Sequence, residues 1–199
     1  MRRTKSLDAG YFEAMYRKEA DPWKFETSPY EQAKYDTTLA ALGDRIVGRV
    51  LEVGCSVGVL TARLAGRCGS VLAVDVSETA LEAARSRCAG LANVAFGRMG
   101  LPNETPSGVF DLILLSEVAY YWDSGDLMRM GEILRAKVTP GGWVLLVHWT
   151  GETDYPKTAD GAVAELSTSA GEAFELEFAQ RTDDYRLDLW RRRAEVECS

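Results

Sequence analysis

Short apolar runs alternate with stretches of helical periodicity through the middle of the chain. The apolar runs predict five strands, at residues 50–53, 71–76, 94–96, 110–115 and 143–149. These runs are almost continuously apolar, as expected of parallel strands that are covered on both faces. Strands that alternate with helices predict an α/β fold, a three-layer Rossmann-like arrangement around a mostly parallel sheet.

The first part of the chain departs from this alternation. Two helices are predicted before the first strand, one over about residues 8–20 and one from Pro29 to about Gly43. The second has a clear start, because Ser28 is placed as N-cap and Glu31 follows three residues later. We expect these helices to be additional to the α/β core and to form a lid over its site.

The last third of the chain changes its period. Residues 150–172 are polar, with a weak helix predicted over residues 159–166. Apolar and charged residues then alternate over residues 174–178 and 185–189, with a turn at 180–184 between them. Period-two alternation in two consecutive segments predicts an antiparallel hairpin. The whole is expected to be a seven-stranded sheet with an antiparallel C-terminal hairpin.

Length and composition bound the class of protein. A chain of 199 residues is expected to be a single domain, with N-terminal helices over residues 1–45 and a core over 46–199. No apolar run reaches the roughly 20 residues that span a bilayer, so no membrane partner is expected. The net charge of −7 argues against a nucleic-acid partner.

The cysteines favour neither a metal site nor a disulfide framework. The sequence has a single histidine and no Cys-x-x-Cys pair among its four cysteines, Cys55, Cys68, Cys88 and Cys198. We therefore expect no metal, and a reducing, cytoplasmic location.

Residues 50–58 carry the most informative pattern. A short strand passes into the glycine turn Gly54–Gly58, and helical spacing follows it. Such a unit brings backbone N–H groups up against a ligand. Asp75 ends the next strand, 21 residues after Gly54. An acid at that distance is placed to accept the two hydroxyls of a ribose, so a nucleoside-bearing cofactor is expected.

Two familiar nucleotide motifs fail at this turn. In a dinucleotide fingerprint that starts at Gly54, the other glycines would fall on Ser56 and Val59, and no Gly-Lys-Ser/Thr follows as in a P-loop. A plain crossover whose glycines serve turn geometry alone is the remaining alternative. The pattern Glu-x-Gly-x-Ser-x-Gly instead resembles motif I of the class I S-adenosylmethionine methyltransferases, with serine in place of the middle glycine.

That resemblance implies S-adenosylmethionine as cofactor, with S-adenosylhomocysteine as product. Applied to the matching positions, it implies a cofactor site formed by Glu52, Gly54, Cys55, Ser56, Gly58, Asp75 and Val76. Similar enzymes often carry an acid after the third strand, whereas this chain has Gly97-Arg98-Met99-Gly100 there. We therefore expect backbone groups of Met99 or Gly100 to meet the adenine, with Ser116 after the fourth strand completing the site.

Three further segments narrow the resemblance. Asp21-Pro22-Trp23, Pro29-Tyr30-Glu31 and Glu117-Val118-Ala119-Tyr120-Tyr121 look like the nodulation protein S family, N-methyltransferases that act on an amino-sugar end of a chitin oligomer. The likeness implies a small-molecule amine as acceptor. It is weak over residues 150–175, so the chitin-oligomer specificity is not carried over. We expect Trp23 and Tyr30 to close over the cofactor and Lys34 to meet its carboxylate.

Candidates for the chemistry lie after the fourth and fifth strands. Glu117 is the first candidate to hold and deprotonate an amine, since an amine must be neutral before it attacks. His148, the single histidine, is a second candidate base. Tyr120 offers an aromatic face to an ammonium. Two alternative functions stay open: methylation of a small-molecule hydroxyl or carboxylate, and a cofactor-binding module without turnover. The oligomeric state, monomer or homodimer, also stays open.

The role of Asp75 can be tested directly. Asp75→Ala should weaken binding of S-adenosylhomocysteine by about 1–3 kcal/mol, because the ribose hydroxyls lose a charged acceptor. Isothermal titration calorimetry measures this difference. Unchanged affinity would contradict the assignment.

Overall fold

The computed structural model describes residues 2–194, which form a seven-stranded sheet flanked by helices. In chain order the elements are α1 (Ala9–Lys18), α2 (Pro29–Ala40), β1 (Val47–Val53), α3 (Val59–Ala65), β2 (Cys68–Asp75), α4 (Glu78–Arg87), β3 (Val94–Arg98), β4 (Phe110–Ser116), α5 (Ser124–Lys137), β5 (Val138–Trp149), α6 (Ala159–Ala170), β6 (Phe174–Arg181) and β7 (Tyr185–Arg192). None of the helices within residues 2–194 is both long and apolar enough to cross a membrane.

The strand order is β3-β2-β1-β4-β5-β7-β6. Strands β1 to β5 run parallel, whereas β7 is antiparallel to both of its neighbours. The order reverses between β1 and β4, and in open α/β sheets ligands bind beyond the carboxyl ends of the strands at such a point. The predicted fold, a mostly parallel sheet with an antiparallel C-terminal hairpin, is confirmed.

Continuous apolar strands lie at the centre of the sheet. Residues 112–115 of β4 and 144–147 of β5 are fully buried, because helices cover both faces. The two faces belong to separate apolar clusters, with Leu51 and Ile113 on one and Val50 and Leu112 on the other. This alternation across one sheet is the pattern expected when a strand is buried on both sides.

The two N-terminal helices pack at the carboxyl edge of the sheet. Ser28 caps α2 by accepting the Glu31 N–H, as predicted. Helix α1 is fastened to the start of α4 through Glu13, whose carboxylate accepts the hydroxyls of Ser77 and Thr79, both at 2.7 Å. These two contacts are the main reason that the pKa of Glu13 falls to about 2.

Two element boundaries differ from prediction, the start of β5 and the end of α6. Strand β5 begins at Val138, directly after α5, whereas the sequence predicts a strand from 143 only, because the Pro-Gly-Gly string at 140–142 is a typical turn signal. A register irregularity opposite Asp111 absorbs the extra residues, so the glycines form a bulge. Helix α6 extends to Ala170, beyond the predicted 159–166, because Leu166 and Ala170 are buried in the same apolar cluster as α5.

The C-terminal hairpin forms as predicted, with β6 at the edge of the sheet. Leu176 and Phe178 on that edge are 61% and 43% exposed. Cys55 and Cys88 are buried and unpaired, and Cys68 is half-buried and also a free thiol. Cys198 lies outside the described residues.

The turn between β1 and α3 predicts a stability effect at Gly58. This residue has φ +77°, and a Cβ there would lie 2.9 Å from the Cβ of Ala84 and 3.0 Å from its Cα. Gly58→Ala should therefore lower the free energy of unfolding by about 1–3 kcal/mol, from backbone strain and overpacking. Urea denaturation measures this change.

Gly90→Ala is the matched control. A Cβ at Gly90 meets nothing within 4 Å, so its effect should stay within about 0.5 kcal/mol. Equal losses in the two variants would show that the contact with Ala84 does not constrain the turn.

Candidate active site

A cavity of about 330 Å³ lies at the carboxyl edge of the sheet, beneath α1 and α2. Most of the predicted site residues line it: Trp23, Tyr30, Lys34, Glu52, Gly54, Cys55, Ser56, Asp75, Val76, Met99, Ser116, Glu117 and Tyr120. Three predicted residues, Gly58, Gly100 and His148, do not line it. The cavity thus joins the glycine turn, the tip of β2 and the segment after β4 in one space.

The glycine turn bends sharply towards the cavity. Gly54 has φ +75°, and a Cβ at this position would overlap the side chain of Val118. Ser56 also has a positive φ, +51°, a strained value for a residue with a side chain. Its hydroxyl accepts the buried hydroxyl of Tyr16 at 2.5 Å. The serine that replaces the middle glycine therefore connects the turn to α1.

Asp75 ties the glycine turn to the start of α4. Its Oδ2 accepts the Ser56 N–H and its Oδ1 accepts the Ser77 N–H, both at 2.9 Å. Burial raises the pKa of this carboxyl, against the effect of those two bonds. The carboxylate is fixed at the cavity wall, so Asp75→Ala would loosen the turn as well as remove a ligand contact.

Glu52 is a buried acid at the inner end of the cavity. Its side chain is held by the Thr61 hydroxyl, which donates to Oε2 at 2.6 Å. Burial, with a smaller effect of Asp75, raises the pKa of Glu52 to about 8. The group is therefore largely protonated at neutral pH in the folded protein.

A cluster of three charged groups lies on the opposite side of the cavity. The ammonium Nζ of Lys34 is 2.5 Å from Oε1 of Glu117 and 3.0 Å from Oε1 of Glu31. The lysine side chain is 2% exposed. Burial by itself would lower the lysine pKa, but the two carboxylates outweigh it and raise the pKa. Lys34 was predicted to meet a cofactor carboxylate, whereas the structure commits it to two carboxylates of the chain itself.

Glu117 is held by more donors than the sequence indicates. Its Oε2 accepts the Tyr120 hydroxyl at 2.5 Å and the Trp149 N–H at 2.8 Å, in addition to the Lys34 bond on Oε1. Its backbone has φ +59°, which turns the side chain back towards the cavity. The residue is thus fixed by α2, by the turn after β4 and by β5.

His148 lies behind the cavity wall. It is fully buried, and its Nε2 accepts the Ala119 N–H at 3.1 Å. Burial lowers its pKa to about 4, so it is neutral at physiological pH. The ring positions the turn after β4 and does not face the cavity, so the geometry does not support the predicted role as base.

The backbone after β3 is engaged in hydrogen bonds within the protein. The Met99 N–H donates to the Asp75 carbonyl at 3.0 Å, and the Gly100 N–H donates to the Glu104 carboxylate. The Gly100 carbonyl accepts the N–H groups of Asn103 and Glu104. The Met99 N–H is thus used by the end of β2 and the Gly100 groups by a local turn, while the expected contact of the Met99 or Gly100 backbone with the adenine stays a prediction. The Met99 residue itself still lines the cavity.

Several lining residues were missed by sequence reasoning. They include Tyr16 of α1, Glu31 of α2 and Tyr155 from the polar segment, whereas Tyr121 and Trp149 lie after β4 and at the end of β5, where candidates were expected. Tyr155 stacks on Tyr120, with ring centroids 5.5 Å apart. Glu31 carried a usable signal, because it precedes Lys34 by three residues and so shares its helix face. The aromatic residues carried none, since an aromatic in a helix or loop is as readily explained by core packing.

Comparison with known proteins gives a consistent family. A family model described as "Nodulation protein S (NodS)" matches residues 13–139. The chain is 32% identical to nodulation protein S of Rhizobium tropici over 125 residues, which cover 61% of this chain and 52% of that protein. It is 34% identical over 120 residues to the Bradyrhizobium diazoefficiens protein, covering 60% of this chain and 56% of that one. The chain spans about half the length of the curated relatives it matches.

A solved structure agrees in fold. The crystal structure of N-methyltransferase NodS from Bradyrhizobium japonicum WM9, in complex with S-adenosyl-L-homocysteine, matches with a TM-score of 0.81 and 24% identity. The match covers 93% of this chain and 99% of that chain.

The buried acid predicts a pH-dependent stability. The folded pKa of Glu52, about 8, lies above its ordinary value of 4.5. Its contribution is fully present below about pH 4.5 and is lost as the pH rises through about 8, since only the unfolded state releases the proton in between. Relative to Glu52→Gln, the wild type should lose a few kcal/mol of unfolding free energy over that window.

Chemical denaturation at several pH values measures the difference. Glu82→Gln, an exposed change on α4, serves as control and should track the wild type. A constant offset between the wild type and Glu52→Gln across the window would mean that Glu52 ionises normally.

Proposed function

Because the chain belongs to the nodulation protein S family, we propose that it is an S-adenosylmethionine-dependent methyltransferase whose acceptor is the nitrogen of a small amine. One observation carries the proposal: a single cavity joins the glycine turn and Asp75 to the buried cluster of Glu31, Lys34 and Glu117. The glycine turn and Asp75 fit the cofactor, and the cluster of Glu31, Lys34 and Glu117 fits a cation.

The residues at the glycine turn fit the cofactor. A side chain at Gly54 would overlap Val118, so the glycine lets the turn pack closely against the segment after β4 while residues 54–57 line the cavity. We assign the amino-acid end of the cofactor to residues 54–57 and its ribose to Asp75, with Val76 and Met99 beside the adenine. When bound, the cofactor supplies a methyl group already activated on sulfur, so the chain's own residues mainly position and exclude water.

The aromatic residues of the N-terminal segment close this side. Trp23 stacks on Phe25, with ring centroids 5.5 Å apart, and both line the cavity. The hydroxyl of Tyr30 is buried without a partner among the described residues. A buried polar group of this kind costs free energy unless a ligand satisfies it, which supports a role for Tyr30 in binding. These residues act as the lid in our proposal.

The charge of the cluster favours a cationic acceptor. Two carboxylates surround one ammonium, so the buried group of three carries a net negative charge when all are ionised. An amine that arrives as its ammonium compensates this charge, whereas a carboxylate acceptor would add to it. The rings of Tyr120 and Trp149 offer faces suited to an ammonium.

Choice among amines is a separate matter. The family model ends at residue 139, but Trp149 and Tyr155 also line the cavity. Part of the wall that contacts the acceptor therefore lies beyond the matched stretch. We infer that acceptor preference depends on these two residues and differs in detail from that of the relatives.

Release of S-adenosylhomocysteine tests the proposal. Matched pairs that differ only in amine or hydroxyl, such as glucosamine with glucose and an alkylamine with its alcohol, are compared at equal concentration. Amines should be faster by at least about tenfold, the ratio given by about 1.4 kcal/mol of differential binding.

The contrary outcomes are distinct. Turnover with alcohols alone would indicate an O-methyltransferase. Cofactor binding by calorimetry with no release on any acceptor would indicate a binding module without turnover.

A further inference from the structure

We propose that Glu31, in the first turn of α2, takes the proton from the acceptor's ammonium, while Glu117 holds the acceptor in place. The inference rests on the proposed function and goes beyond it by assigning the base. Sequence reasoning gave Glu31 only a helix-capping role, and the structure puts its carboxylate at the cavity wall.

The geometry places Glu31 and Glu117 on the same lysine. Nζ of Lys34 lies 2.9 Å and 3.0 Å from the two carboxylate oxygens of Glu31, and 2.5 Å from Glu117. The two carboxylates therefore face one another across a single ammonium. A nitrogen held by Glu117 is brought next to Glu31.

The two carboxylates differ in their remaining capacity. Glu117 already accepts bonds from Lys34, Tyr120 and Trp149, and a carboxylate offers about four acceptor sites. Within residues 2–194, the hydrogen-bond donor to the carboxylate of Glu31 is Lys34 alone. Glu31 thus keeps free lone pairs that can accept a proton. In Glu117 most of the acceptor sites are occupied, and the carboxylate is fixed in orientation.

The surroundings of Glu31 favour proton uptake. Its side chain is 10% exposed, and burial raises its pKa, an effect that Lys34 opposes. The other charged groups that act on it are Glu117, after β4, and Asp21, between α1 and α2, and both raise its pKa. A carboxylate with a raised pKa is a stronger base. His148, the other candidate, does not line the cavity.

The proposed step is a single proton transfer. An N–H bond of the acceptor ammonium breaks and an O–H bond forms on Glu31, and the electron pair stays on nitrogen. The neutral nitrogen is then able to attack, and the proton leaves Glu31 for solvent after product release. Lys34 keeps its own proton throughout and holds the two carboxylates apart.

The test compares two amines in Glu31→Gln. One is an alkylamine, protonated at neutral pH, and the other an alkoxyamine of similar size, which is already neutral and needs no base. The kcat/KM for the alkylamine should fall about 100-fold or more, while that for the alkoxyamine should change by less than about threefold. Glu78→Gln, a first-turn change on α4 at a side chain that is 44% exposed and outside the cavity, should leave both values unchanged.

A second readout does not use turnover. Infrared difference spectra of the complex with S-adenosylhomocysteine should show a new protonated-carboxyl band when the alkylamine binds. The band should be absent in Glu31→Gln and absent with the alkoxyamine. A band that persists in Glu31→Gln would assign the proton to another carboxyl and overturn the proposal.

The outcomes separate this proposal from the broader one. Absence of turnover by the wild type with every amine would refute the proposed function. Wild-type turnover with equal losses for both amines in Glu31→Gln would refute the role of Glu31 alone. If Glu31→Gln does not fold, Glu31→Asp replaces it: the shorter carboxylate should lower the ratio of alkylamine to alkoxyamine kcat/KM at least tenfold, and an unchanged ratio overturns the proposal.

Discussion

The carboxylate of Asp75 is the contact on which the cavity depends. It accepts one N–H from the glycine turn after β1 and another from the start of α4, so two segments that follow neighbouring strands are held at one point. The turn contains Ser56 at positive φ, a backbone state that persists only where its surroundings impose it. Asp75 supplies that constraint by accepting the Ser56 backbone N–H, and Tyr16 of α1 supplies it by donating to the serine hydroxyl. The shape of the ligand space follows from these bonds.

Buried charge explains why the cavity is more than a gap in packing. Isolated buried acids are costly, and a fold selected for stability alone would replace them by apolar residues. Here Glu52 is kept neutral by its raised pKa, whereas Glu31 and Glu117 are paired with Lys34. One end of the cavity therefore contains the protonated carboxyl of Glu52, and the other contains the cluster of Glu31, Lys34 and Glu117, which carries a net negative charge. Such a contrast suits a ligand that carries its own positive charge.

Most of the fold could be predicted from the sequence because hydrophobic period and turn residues determine it locally. The strands at 110–115 and 143–149 and the Ser28 cap needed no tertiary information. The bulge at Thr139–Gly142 did, because a Pro-Gly-Gly string indicates a turn unless a neighbouring strand absorbs it.

The location of a cavity residue was predictable where it depends on position along a strand. Asp75 ends β2 and Glu117 follows β4, so their location at the carboxyl edge was inferred correctly. The contacts of Lys34 with Glu117 and of His148 with Ala119 are different, because these partners are 83 and 29 residues away in the chain. Packing between distant elements decides these two contacts and no local pattern records them, whereas the contact of Lys34 with Glu31 lies on one helix face.

The position of Glu117 shows how the N-terminal helices become part of the site. Its carboxylate receives bonds from Lys34 of α2, from Tyr120 beside it and from the backbone of Trp149 on β5. Ala119, two residues further on, is fixed to β5 through His148. The segment after β4 is thus held at both ends by β5 and across the cavity by α2. Because a buried ion pair is strong only when its geometry is maintained, displacement of α2 would leave Glu117 with an uncompensated charge. The charge cluster at this edge therefore requires α2 to be docked, which makes this helix, although it precedes the first strand, part of the cavity wall and not an appendage to the α/β core.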